Sequence, residues 1–278
     1  MSETPLGSRD DIHAVGGTGG TTSSPNSFPV PAQELGDVKI SPSGAFEAGS
    51  YQTFTLTYTA GKFGIDDSGS LRVCFRFASD QTRPQFENPA GPNYTNVTAS
   101  NNAVLTHHYD PKGNVRPWDR TLTVKVVRGF LKKGDQIRIT FGDRSGGSPG
   151  MRLQTFCEES YEFHTLIDPI ATYCYQPVPI QPTIKIVPGA PQRYIAIGPT
   201  IRAVGEIFSI RIKGEDKWGN PSNQCNVTFH TRASLPLAGL PETVCLELGD
   251  FAGGFDNLVA HEPGTLAIDF HDEGGVLV

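Results

Sequence analysis

The sequence predicts an all-β fold, read as two Ig-like β-sandwich domains in tandem after a disordered N-terminal tail. Three observations predict it. Apolar residues recur with a period of two in segment after segment, as half-buried strands require. No window of 11 or more residues carries a helical period of 3.6. Glycine and proline number 31 and 22 of 278 residues, about 19% against a usual background of roughly 12%, an excess that marks turns.

Residues 1–34 read as a flexible tail. The run from Gly16 to Pro25 holds no apolar side chain, so ordering it would lose chain entropy with no burial in return. The first domain is expected over 35–176. Phe54, Leu56 and Tyr58 share one face of a strand with threonines opposite. The pattern returns in Leu71, Val73, Phe75 and Phe77, with Arg72, Cys74 and Arg76 facing away, then in Leu122, Val124 and Val126, and in Ile137, Ile139 and Phe141. Tyr161, Phe163 and Thr165 close the set. Turn signals separate these runs: Asp66 to Gly69, Asp110 to Gly113 and Lys132 to Asp135. The proline-rich connector Gln176 to Pro182 opens the second domain, over 177–278. Its strands are expected at 183–187, 194–197, 208–212, 227–230, 244–248 and 266–270, the short, evenly punctuated runs of a sandwich.

Composition excludes several classes of partner. A net charge of -6 supplies no general basic face for nucleic acid or an anionic membrane surface. No stretch approaches the 18 apolar residues of a membrane span. The N-terminus lacks the apolar run of a signal peptide, so the triplets at Asn93, Asn96 and Asn226 read as chance matches to a glycosylation acceptor. Five scattered cysteines without a C-x-x-C read as reduced thiols in a cytoplasmic protein.

Candidate chemistry is thin. His107 and His108 are adjacent in a strand and point to opposite faces, so they do not converge on one ion. Glu162 and His164 share a face with Asp168 following, yet a catalytic metal usually needs three protein ligands. His271, Asp272 and Glu273 read as a solvated turn. No G-x-S-x-G elbow is present, and Cys74 and Cys245 have no histidine at a known spacing. The loop Gly142–Met151, holding Asp143, Arg144 and Ser148, resembles an anion-binding loop only in its glycines. The group Arg116, Trp118 and Arg120 has the residue types of an interface anchor.

Five segments carry a resemblance: Phe46-Glu-Ala-Gly-Ser-Tyr-Gln-Thr-Phe54; Thr59-Ala-Gly-Lys-Phe-Gly-Ile-Asp-Asp67; Tyr109-Asp-Pro-Lys-Gly-Asn-Val-Arg-Pro-Trp-Asp-Arg120; Phe141 through Cys157; and Glu215-Asp-Lys-Trp-Gly-Asn-Pro-Ser222. From about residue 36 onward the chain resembles the N-terminal half of a bacterial domain-of-unknown-function family. Full members of that family end in a PHP-like (polymerase and histidinol phosphatase-like) metal-dependent hydrolase domain. The family's Trp-Gly-Asp-Leu-His-type segment does not occur before Val278, and no histidine here matches a family metal ligand. The resemblance therefore implies a non-catalytic scaffold, a truncated or split product, that packs on a PHP-like catalytic domain in cis or trans. No cofactor is expected in this chain; a divalent metal belongs to the missing domain. Arg116, Trp118, Arg120, Asp143, Arg144, Ser148 and Met151 are the expected docking residues. The alternative is an independent carbohydrate- or protein-binding module.

Overall fold

The computed structural model describes residues 30–272 and Gly274. The expected tail lies outside the described residues except for 30–34, where Ala32–Glu34 form a 3-10 turn and Lys62 Nζ reaches Glu34 Oε1 at 3.0 Å. The described chain is all-β, with no α-helix among those residues. In chain order the strands are β1 (Gly36–Ser41), β2 (Ala45–Glu47), β3 (Tyr51–Gln52), β4 (Phe54–Ala60), β5 (Ser70–Phe75), β6 (Asn96–Ala99), β7 (Val104–Asp110), β8 (Arg120–Arg128), β9 (Gln136–Phe141), β10 (Met151–Arg152), β11 (Glu158–Glu162), β12 (His164–Asp168), β13 (Gln176–Pro177) and β14 (Thr183–Val187). Then follow β15 (Arg193–Ile197), β16 (Ile207–Glu215), β17 (Pro221–Ser222), β18 (Val227–Ala233), β19 (Leu237–Ala238), β20 (Thr243–Leu246), β21 (Gly253–Ala260) and β22 (Ile268–His271).

The period of two is realised along β4, whose residues alternate buried and half-buried from end to end. β4 sits in a sheet of order β1-β4-β9-β6, and the facing sheet runs β13-β12-β5-β8-β7. Inward side chains of the two sheets meet in an aromatic cluster. Phe75 lies 5.7 Å from Phe141 and 5.7 Å from Phe163, and Phe54 lies 5.7 Å from Phe163. Edge-on and tilted ring contacts of this kind add about 0.5–1.5 kcal/mol per pair beyond area burial. Tyr161, Phe163 and Thr165 are buried as the alternation requires. Phe77 departs from expectation: β5 ends at Phe75, and Phe77 is exposed beneath the Arg116 guanidinium at 4.9 Å.

The later strands form sheets β15-β16-β21-β19 and β20-β18-β22 around Ile210, Ile212, Phe229, Leu246, Leu258 and Phe270. β21 escaped the sequence reading because Gly253 and Gly254 open it and break its alternation. The strand at 183–187, expected to open the second block, is hydrogen-bonded into the first: β14 pairs antiparallel with β11 and parallel with β2. By strand pairing, the sheets of the first block extend to Val187. Ile184 and Ile186 are buried in this pairing.

Three of the segments that carry the resemblance meet one another. The Asp216 carboxylate is buried and accepts four hydrogen bonds, from Gly189 N, Trp218 N, Asn220 N and Asn220 Nδ2, at 2.9–3.1 Å. The turn it holds aims Trp218 at the first block, where Trp218 Nε1 donates to Ala48 O at 3.0 Å. Gly49, at φ +69°, is the residue this contact demands, since a Cβ there would lie 2.5 Å from the indole nitrogen. Asn220 Nδ2 donates to Thr155 O, and Cys157 N donates to Asn220 Oδ1.

Two outcomes are expected. Phe54→Ala, in the centre of the aromatic cluster, should cost about 3–5 kcal/mol of unfolding free energy, measured by chemical denaturation. Burial pushes the Asp216 carboxyl up in pKa, but its four donors outweigh that and hold it below the usual carboxylate range. A depressed pKa stabilises the fold above the unfolded value and loses that contribution as pH falls through the folded one. Asp216→Ala, which leaves buried N–H groups unmatched, should cost at least about 3 kcal/mol at pH 7. The gap to wild type should begin to narrow below about pH 4 as that contribution is lost; a gap unchanged from pH 7 to pH 2 would contradict this assignment.

Candidate functional site

The pleat that sends Leu71, Val73 and Phe75 inward sends Ser70, Arg72 and Cys74 to the outer face of the five-stranded sheet. Register builds a grid from them. Across β12, β5, β8 and β7 run the rows His164–Cys74–Thr121–Asp110, Leu166–Arg72–Thr123–His108 and Asp168–Ser70–Lys125–Thr106. The loop 111–119 covers the first row. The turn 169–175 rises beside the last. Between them lies a cleft of about 210 Å³ floored by Arg72, Thr123 and His108 and walled by Lys125, Asp110 and Tyr175.

The turn is held from beneath. Asp168 is buried, and its carboxylate accepts from Thr172 N and Thr172 Oγ1 at 3.0 Å and from Tyr173 N at 2.6 Å. These bonds hold Ala171 and Tyr173 in the left-handed region, at φ 57° and 61°, a conformation that costs non-glycine residues of order 1–3 kcal/mol each. The result is a fixed aromatic wall. Tyr175 lies over Arg72, guanidinium carbon to ring centroid 3.7 Å, and its hydroxyl is 2.7 Å from Ser70 Oγ. Tyr173 stands 80% exposed at the mouth.

In the first row of the grid, outside the cleft lining, Trp118 stacks on His164, with ring centroids 4.6 Å apart and planes 14° apart. His164 Nδ1 lies 2.6 Å from Glu162 Oε1. The pair that sequence placed on one face is thus joined to the Trp118 segment. Asp168 is not with them, being spent on the turn, and no group of three metal-ligating side chains exists among the described residues. Cys74 sits opposite His164 in register but is fully buried, and its thiol receives Thr121 Oγ1 and Asn114 Nδ2 at 3.5 and 3.6 Å. Burial pushes that thiol up in pKa, against the activated thiolate that a nucleophile needs. His107 and His108 alternate as expected: His107 is half-buried against Phe86, and His108 is exposed at the cleft.

The expected docking residues fall in two places. Arg116 is exposed and pairs with Asp119 at 3.6 Å, Trp118 is half-buried on His164, and Arg120 donates to Ser79 O. In the Gly142–Met151 loop, Arg144 is exposed with Nη2 on Tyr51 O at 2.8 Å, and Asp143 Oδ1 accepts from Ser145 N at 2.9 Å. Ser148 and Met151 are buried, Met151 completely. Neither presents a side chain to a partner, because β10 ties Met151 to Gln52 of β3. Sequence reasoning missed Arg72, Lys125 and Tyr175 as a group. Alternation placed Arg72 on the outer face, but nothing local links the β5 face to a turn some 105 residues later.

A larger cleft, about 480 Å³, opens in the later block beside Phe208, Ile210, Ile268 and Phe270. Arg202 and Glu206 at its rim pair with each other at 3.6 Å, so it offers an apolar slot with little free polar capacity. The outer-face cleft has the convergent polar groups of a binding site.

The Asp168 assignment has a direct check. Asp168→Ala should cost about 2–3 kcal/mol and should raise amide exchange at Thr172 and Tyr173 well before the core strands open. Unchanged protection at those two amides would show that the turn does not depend on the carboxylate.

No family model matches the chain, and no curated protein matches it.

Proposed function

We propose that the chain is a non-enzymatic binding module that takes a carbohydrate on the outer face of its five-stranded sheet. One observation carries this reading: an exposed tyrosine held in a strained, carboxylate-anchored turn beside a polar cleft. A sugar ring presents apolar C–H faces to an aromatic ring and hydroxyls to polar neighbours, and the cleft supplies both. Tyr173 is the platform. Ser70, Thr123 and Tyr175 offer hydroxyls, and Asp110 offers a carboxylate oxygen beside the one that accepts Lys112 N. A wall fixed before binding reduces the ordering entropy that association must overcome.

A docking role toward a PHP-like catalytic domain remains a second reading, supported by the resemblance and by the exposed side chains of Arg116 and Arg144. The two readings use different surfaces, which separates them experimentally. On an oligosaccharide array that includes neutral and acidic glycans, wild type should bind at least one member. Tyr173→Ala should weaken that binding at least tenfold, about 1.4 kcal/mol, with an unchanged circular dichroism spectrum. Arg144→Ala should bind the same glycan like wild type. Failure of wild type to bind any glycan, or equal binding by Tyr173→Ala, sinks the carbohydrate reading.

A further inference from the structure

Resting on that reading, we infer that the ligand carries a carboxylate, as a uronic acid does, and that Arg72 and Lys125 receive it. The inference comes from unused hydrogen-bonding capacity. Arg72 lies half-buried on the sheet face with its guanidinium against Tyr175, and its Nε is buried without a partner. No acidic group comes within ion-pair distance of it among the described residues. Lys125, half-buried in the same cleft, likewise has neither ion pair nor hydrogen bond there. Desolvated cations normally find a partner, since leaving one unmatched is costly.

The carboxylates nearby do not fill this role. Both oxygens of Asp168 are occupied by the turn's own donors. Asp110 sits on the next row of the grid, with Oδ1 accepting Lys112 N at 2.8 Å. Among the described residues no carboxylate is left to complete the cleft, and an external anion is the ligand we infer.

Shape and charge narrow its class. A guanidinium presents a planar fork of donors that matches a carboxylate with two parallel bonds. The Ser70 and Tyr175 hydroxyls lie beside it. The cleft, at about 210 Å³, is smaller than the roughly 300–1,000 Å³ of sites for drug-sized ligands, so it holds one ring-sized group of a longer chain. Asp110 and Asp168 at the margins oppose a dianion such as a phosphate monoester, whereas a single carboxylate leaves Asp110 free to accept a sugar hydroxyl.

The test is calorimetric titration with oligomers of galacturonate, glucuronate and mannuronate, each alongside its carboxyl-reduced neutral counterpart, with sulfated dextran as a further arm. At least one acidic oligomer should bind tenfold or more tightly than its neutral counterpart, and that preference should fall as salt rises. Lys125→Met should reduce the preference, and Arg72→Met should abolish it. Without ligand, Arg72→Met should melt no lower than wild type, because it removes an unmatched charge; a purely structural arginine would lower the melting temperature. Equal binding of acidic and neutral oligomers overturns the carboxylate inference while leaving the carbohydrate module intact. Tighter binding of sulfated dextran than of every uronate overturns it in favour of a sulfate ester. Binding of nothing in the panel, neutral sugars included, overturns both readings together.

Discussion

The pleat of β5 is the constraint on which both core and candidate site depend. Each residue added to this central strand switches face, so Leu71, Val73 and Phe75 are buried only if Ser70, Arg72 and Cys74 are presented outward. A slip of one residue would turn Arg72 toward the core and Phe75 to the outer face. The aromatic cluster thereby fixes the register, and the register fixes which polar groups line the cleft. β8 and β12, flanking β5 on either side, bring Thr123, Lys125 and Asp168 to positions opposite β5's outward residues. Packing energy on one face of the sheet thus serves as the positioning device for the other.

The contact beyond Val187 solves a different problem. Two sheet systems in one chain are free to swing unless something directional ties them, and apolar contact alone is non-directional. The tie is a buried carboxylate. Asp216 organises its own turn through Trp218 N and Asn220 N, and reaches the connector through Gly189 N. Trp218 and Asn220 then grip backbone carbonyls of the first block, Ala48 O and Thr155 O. Backbone acceptors cannot rotate away as side chains do, so the grip has a defined angle. The segments around Gly49, Thr155 and Trp218 serve this contact. They are joinery.

What the sequence discloses follows from which interactions are periodic. β4, β5, β8 and β9 were legible because a half-buried strand writes its burial into every second residue. β14 was legible as a strand but not as a neighbour of β11 and β2, since pairing partners leave no mark in a single chain. β21 was obscured by Gly253 and Gly254, and Phe77 by a strand that ends two residues before it. At the site, the Glu162 and His164 contact could be read from spacing alone, and so could the opposed faces of His107 and His108. The accessibility expected of Met151 was wrong because a glycine-rich loop looks open in sequence. Here Gly142 and Gly150 instead let the backbone close onto Gln52, where a Cβ at either position would lie within 2.8 Å of Gln52 O.

Hydrogen-bonding capacity separates the polar groups that hold this fold from those that await something else. Asp216 uses four donors, Asp168 uses three, and Glu215 takes both Arg193 and Lys213 at 2.6 and 2.8 Å. His164 has Glu162 on its nitrogen and Trp118 on its ring face. Each of these groups is satisfied inside the chain, and removing any of them strands a neighbour, which is the signature of structure. Arg72 differs in kind. Its guanidinium carbon lies 3.7 Å from the Tyr175 ring centroid, yet its buried Nε finds no acceptor among the described residues. A fold that orders a cation to this degree without satisfying it has incurred a desolvation cost that internal packing does not recover. The anion proposed for the cleft would recover it, with little further ordering needed at the moment of binding.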